Sequence, residues 1–205
     1  ALPATPPSGS DFTWTFTSGP SSGGGNKAFE FLAAGETLEL TYTVKTQDNS
    51  PARSGKASDS STTTVTVTIT GTNDTPAITV VDVTGAVTED STSGAPARLR
   101  DAGSISFFDL DLTDLSTTTA AYISAIPSTG ASVSSALATA LQDLTTTFVI
   151  SGAGVSNPAQ NGTVNWAFSL DNALAQYLAA GETVTATYRI TVTDDSTYTA
   201  ASGNN

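Results

Sequence analysis

The chain has no cysteine, no histidine and no methionine, and its 7 lysines and arginines face 19 aspartates and glutamates. Each shortage closes off some chemistry. Without cysteine there is no disulfide framework, thiol nucleophile or cysteine zinc site. Without histidine there is no Ser-His-Asp triad, imidazole metal site or histidine acid–base group. A net charge of −12 with scattered cations gives no footprint for nucleic acid. No apolar run approaches the roughly 18 residues of a membrane-crossing helix, so membrane insertion is not expected. The opening Ala1-Leu2-Pro3 has no basic region leading into an apolar stretch, so no signal peptide is read there.

What is abundant is small and polar: 37 Thr, 25 Ser and 17 Gly in 205 residues. That length admits one large domain or two ordinary ones. Hydrophobic content of 38% is modest but too high for a purely disordered tail. Threonine mixed with repeated Val and Ile buries its core as β-sheet. The only ligands such a chain offers a metal are oxygens.

An internal repeat organises the sequence. Phe31-Leu32-Ala33-Ala34-Gly35-Glu36-Thr37 returns as Tyr177-Leu178-Ala179-Ala180-Gly181-Glu182-Thr183, an offset of 146 residues. Leu38–Val44 then aligns with Val184–Ile190, and upstream Trp14 and Phe16 align with Trp166 and Phe168. The Gly-rich stretch Gly19–Lys27 makes the connection in the first copy six residues longer. Residues 1–74 read as the C-terminal half of one repeat, and residues 75–205 as most of the next, lacking its last strand. The chain is expected to be a window on a longer tandem array. Gly71-Thr72-Asn73-Asp74-Thr75-Pro76 marks the boundary, because Pro76 holds Thr75 extended and Asn and Asp favour turns.

Alternation of period two predicts strands at Phe12–Thr17, Leu38–Thr46, Thr62–Thr70, Thr163–Ser169 and Thr183–Thr193. Weaker signals fall at Ile78–Thr84, Ser104–Phe108, Ala120–Ile126 and Thr145–Ile150. Val133, Leu137, Leu141 and Leu144 form a helical stripe inside an insert at 121–144, with Ser132 as the expected N-cap. Asp171–Ala180 reads as a second, shorter helix capped by Asp171 and ended by Gly181. Matched aromatics (Trp14 with Trp166, Phe16 with Phe168) read as core, and matched Glu36 and Glu182 as acceptors of backbone N–H groups in a turn. The expected fold is all-β: an antiparallel β-sandwich with one short helix.

These residues resemble the VCBS repeats of very large secreted bacterial proteins, which are cadherin-like sandwich modules. The resemblance rests on the Leu-Ala-Ala-Gly-Glu-Thr turn, Val192-Thr193-Asp194-Asp195, the Thr-Val-Thr-Ile-Thr strand and Gly-Thr-Asn-Asp-Thr-Pro. It rests also on Val87-Thr88-Glu89-Asp90 followed by Gly103–Asp111. It implies a cadherin- or immunoglobulin-like fold in a secreted, cell-surface adhesin or RTX-like protein, exported through a signal at the far C-terminus. It implies too that an Asn-Asp linker, an upstream Glu and an Asp-x-Asp pair converge on calcium between repeats. Carried over, those roles fall to Asn73, Asp74, Glu89, Asp109 and Asp111. Calcium suits this chain, since it takes 6–8 oxygen ligands without His or Cys.

The function expected is that of a structural extender, or stalk, in an extracellular fibre, with calcium fixing each joint and neighbouring repeats as partners. No catalytic residue is expected. Two alternatives stand beside it. The module itself binds a glycan or cell-surface partner through exposed aromatics, the insert or the Gly19–Lys27 loop. Or copies complete one another by strand exchange into a head-to-tail homopolymer.

Overall fold

The computed structural model describes residues 13–17, 28–47, 60–91, 97–152 and 161–195. Among these residues, eight strands and one α-helix run in order: β1 Thr37–Gln47, β2 Ser60–Thr70, β3 Ala77–Val81, β4 Arg98–Phe108, β5 Thr117–Pro127, α1 Ser135–Leu141, β6 Phe148–Ser151, β7 Asn161–Asp171 and β8 Val184–Thr193. All pairings are antiparallel. Three sheets result: β1-β2, β3-β4-β7-β6 and β5-β8. The fold is an all-β sandwich with a single short helix.

Alternation sets the faces. On β7, Gly162, Val164 and Trp166 are buried while Thr163, Asn165 and Ala167 are exposed. On β8, Val184, Ala186, Tyr188, Ile190 and Val192 turn inward between exposed Thr and Arg residues. The inner faces of β4-β7-β6 and β5-β8 enclose a cluster of Ile105, Phe107, Phe148, Val164 and Trp166, covered by Ala120, Tyr188, Ile190 and Val192. Phe148 stacks on Tyr188 with ring centroids 4.0 Å apart, and the Tyr188 hydroxyl donates to the Leu141 carbonyl at 2.8 Å. Burial of that phenol pushes its pKa up to about 12, so it stays a donor. Trp166 buries its ring and donates its indole N–H to the Asp82 carbonyl at 2.6 Å. A second cluster, Leu99, Leu137, Leu141, Leu170 and Ala175, fills the pole at the start of β4.

The helical stripe forms α1, with Leu137 and Leu141 buried. Its N-cap is Ser134 rather than Ser132, because the Ser134 hydroxyl accepts from the Leu137 N–H at 3.3 Å. The insert therefore supplies the end of β5 and a helix packed on its own module. Asp171 does act as a cap, accepting from Ala173 N–H, but only one 3₁₀ turn, Asn172–Leu174, forms behind it. A segment that short does not offset the cost of nucleating an α-helix.

The repeat is visible in three dimensions. Gly35 and Gly181 have φ of 80° and 82°, which an L side chain resists. The Glu36 carboxylate accepts the Ala33 N–H at 3.0 Å, and that of Glu182 accepts the Ala179 N–H at 3.1 Å, as the matched positions implied. The upstream match does not carry over. Residues 13–17 lie in no sheet of the described residues, and Trp14 is 54% exposed where Trp166 is 6%. Among the described residues no strand lies beside Trp14, whereas β7 lies between β4 and β6. Phe12 and the Gly19–Lys27 loop lie outside the described residues.

Candidate metal centre

Four chain segments meet at one pole of the sandwich: the turn at 29–36, the linker Gly71–Pro76, the β4–β5 loop at 109–116, and Asp194-Asp195 after β8. Backbone bonds lock the first two together, Gly35 N–H to Gly71 carbonyl at 3.2 Å and Gly71 N–H to Glu36 carbonyl at 2.8 Å. A Cβ at Gly71 would run into the carbonyls of Leu32 and Ala33, so this approach requires glycine. The turn also reaches the loop, where Phe31 carbonyl accepts the Leu112 N–H at 3.2 Å.

The loop is inside out. In Asp109-Leu110-Asp111-Leu112-Thr113-Asp114-Leu115-Ser116 the acids and the serine are buried, Asp109 at 6%, Asp111 at 3%, Asp114 at 7% and Ser116 at 6% exposure, while Leu115 is 47% exposed. Burying carboxylates at the expense of leucine is costly unless something compensates their charge. Part of the compensation is visible. Asp111 accepts the Asp74 N–H at 2.7 Å, Asp109 accepts the Asp111 N–H at 3.2 Å, and Asp195 accepts the Leu115 N–H at 2.8 Å. The Asn73 amide donates to Asp194 at 3.2 Å, which ties the linker to the end of β8.

The rest is missing. Asn73 Oδ1, Asp109 Oδ2, Asp111 Oδ1, Asp114 Oδ2 and Ser116 Oγ are buried with no hydrogen-bond partner. The charged groups acting on these acids are themselves acids: Asp194 and Asp74 on Asp109, and Asp195, Asp109, Asp194 and Glu36 on Asp114. Burial first, and these like charges second, raise the pKa of Asp109 and Asp114 and push Asp111 to about 6. Orphaned oxygens facing like charges match the donor set of a hard, oxygen-loving cation. Among the described residues, no group of three or more acids is placed so that it could hold a metal ion as it stands.

Of the residues expected to converge here, Asn73, Asp74, Asp109 and Asp111 are brought together. Glu89 is not. It lines a cleft of about 350 Å³ at the opposite pole, with Leu99, Leu137, Leu141 and Leu170. The adjacent Asp90, at φ 62°, is fastened there by Asn172 and Gln176, which lower its pKa. Eleven residues of β4 separate the two poles, about 35 Å at a strand's rise. Asp114, Ser116, Asp194, Asp195 and Glu36 join the pole without having been assigned to it. The sequence signal for the first two is the alternation of acid and leucine after β4, which no solvated turn needs. No family model, no curated protein and no solved structure matches the chain.

Proposed function

We propose that this chain is a structural extender, a stalk segment of an extracellular bacterial adhesin or surface fibre, whose joint between repeats is stiffened by calcium. The observation that supports it most is the set of five buried, unpartnered oxygens where first-copy and second-copy segments meet. Asn73, Asp109, Asp111 and Asp114 would supply ligands through these atoms, with Asp74, Asp194, Asp195 and Glu36 near enough to lower the field further. Calcium supplies the positive charge that the protein side of the joint lacks. The residues themselves orient the linker: Asp111 holds Asp74, Asn73 holds Asp194, and Phe31 holds Leu112. With repulsion among the acids neutralised, those contacts fix the angle between the two copies. The role is mechanical and non-catalytic, and its partners are neighbouring repeats.

The test is the distance distribution between spin labels at Thr43→Cys and Thr119→Cys, both exposed positions in a cysteine-free chain. It should be broad in EDTA and narrow in millimolar calcium. Equal widths in both would remove calcium from the account.

A second reading has an observation of its own. Trp14, Tyr42 and Tyr177 are 54%, 48% and 46% exposed, as stacking platforms for a glycan would be. Quenching or enhancement of Trp fluorescence by glycans, lost in Trp14→Ala, would favour that reading over the stalk.

A further inference from the structure

The outward face of the β5-β8 sheet exposes isoleucine where alternation would have buried it. Tyr122 faces Tyr188 on the core side, with ring centroids 5.9 Å apart. Uninterrupted alternation from there would send Ser124 and Ile126 inward and Ala125 outward. A bulge between Tyr122 and Ser124 reverses this. Ala125 packs on the buried leucine cluster, while Ile123 and Ile126 are 46% and 64% exposed. Ser124 and Ile126 now pair with Thr187 and Thr185, which are exposed. Burying alanine while isoleucine stays outside forgoes apolar burial within the chain. Bulges commonly re-aim side chains beside functional sites.

Charge says what fits there. Of the three described sheets, β1-β2 carries Glu39 and β3-β4-β7-β6 carries Asp101 and Asp171, but β5-β8 carries no acid. Its one charged residue is Arg189. Two copies of a −12 chain repel over most of their surface, and this face is the exception. A strand added at either edge would widen the face, not cover it. We propose that the outward face of β5-β8 docks against the same face of a second copy of this chain.

The pairing closes as a two-fold. An axis along the strands would set both Arg189 side chains at one level. An axis crossing the strands at Thr187 holds them about 13 Å apart, beyond the roughly 8 Å screening length of physiological salt. Ile123 then meets its counterpart, and Ile126 meets Ala121 of the other copy. The face measures about 35 Å by 10 Å, roughly 350 Å² per copy. Each partner of a stable pair buries about 800 Å², so this pair is weak and transient. A stalk that repeats the face would add such contacts by avidity along an antiparallel neighbour. That last step rests on the stalk reading; the pair itself does not.

The absence of cysteine gives a direct test. Thr187→Cys and Thr191→Cys chains, both altered at exposed positions, are treated at millimolar concentration with a short bismaleimide. The two 187 positions meet at the axis, whereas the 191 positions stand about 27 Å apart. We expect about tenfold more dimer from Thr187→Cys, and about tenfold less once Ile126→Asp sets a carboxylate against apolar surface. Ile126→Thr keeps the strand preference and should lower the yield less, which separates lost contact from lost fold. Equal yields at the two positions, or a yield that neither change at Ile126 lowers, would overturn the proposal. So would a chain that stays monomeric and instead binds phosphatidylcholine vesicles through Ile126. Yields should match in EDTA and in calcium, since Ile123 and Ile126 lie away from the acidic pole. Spin-label distances that narrow with calcium, with no cross-link, would sink the pair alone and leave the stalk standing.

Discussion

The turns Phe29–Glu36 and Ala175–Glu182 close alike, with a left-handed glycine and a glutamate accepting a backbone N–H, yet their surroundings differ completely. The first is pressed against the linker and the acidic loop, with Leu32 and Ala33 buried; in the second Ala179 is exposed and Leu178 only half-buried. The aromatics upstream diverge in the same way, Trp166 between two strands and Trp14 beside none of the described ones. Local sequence therefore dictates the turn, while burial and energetic weight come from what the neighbouring segments supply. The matched Trp pair carries this furthest. Trp166→Ala should cost about 3–5 kcal/mol in urea unfolding, and Trp14→Ala no more than about 0.5 kcal/mol. Equal losses would mean that the two copies are packed alike.

The acidic pole sharpens the contrast between a joint and a free end. Asp111 has a folded pKa of about 6 against an ordinary 3.8, so the folded state holds an extra proton between those values. Without metal, stability should then fall as pH rises from 4 to 7, the reverse of an ion-paired carboxylate. Asp111→Asn should flatten that slope and, in EDTA at pH 7, raise stability by on the order of 1 kcal/mol. Denaturation midpoints across pH, in EDTA and in calcium, check both. A midpoint that climbs with pH in EDTA would show that the pole is already compensated.

The glutamate pair gives the smallest effect and the finest comparison. Glu182→Gln weakens the bond to the Ala179 N–H and should lower the melting temperature. Glu36→Gln weakens the same bond but also removes a charge that bears on Asp114. In EDTA its loss should be smaller than that of Glu182→Gln, and the difference should shrink at high salt. Identical losses at both salt concentrations would place Glu36 outside the acidic field.

Most strands were legible because Thr-Val alternation is both a local preference and a burial pattern. All the segments from Leu38 onward that alternate in sequence are strands in the structure. Phe12–Thr17 alternates just as well, yet its described residues form no strand, because a strand needs a neighbour that periodicity cannot supply. Asn73, Asp74, Asp109 and Asp111 were legible through the resemblance to cadherin-like repeats, which sets an Asn-Asp linker beside an Asp-x-Asp pair. Glu89 was not, since its place depends on which pole the chain visits between β3 and β4. Asp194 and Asp195 look like ordinary turn acids in sequence, and Asp114 is marked there only by the acid–leucine alternation after β4; the meeting of two distant loops gives the three a common field. Ser132 and Ser134 are equivalent as residue types, and the choice between them rests on which hydroxyl reaches Leu137.

Thermal unfolding of the intact chain in EDTA and then in millimolar calcium tests the stiffened joint most directly. Binding to the folded state alone stabilises by mass action, about 2.7 kcal/mol at a hundredfold excess over Kd. A rise of several degrees is expected, lost in Asp109→Ala and in Asp111→Ala but kept in Glu89→Ala. No rise, or a rise that survives both aspartate substitutions, would contradict calcium at this pole.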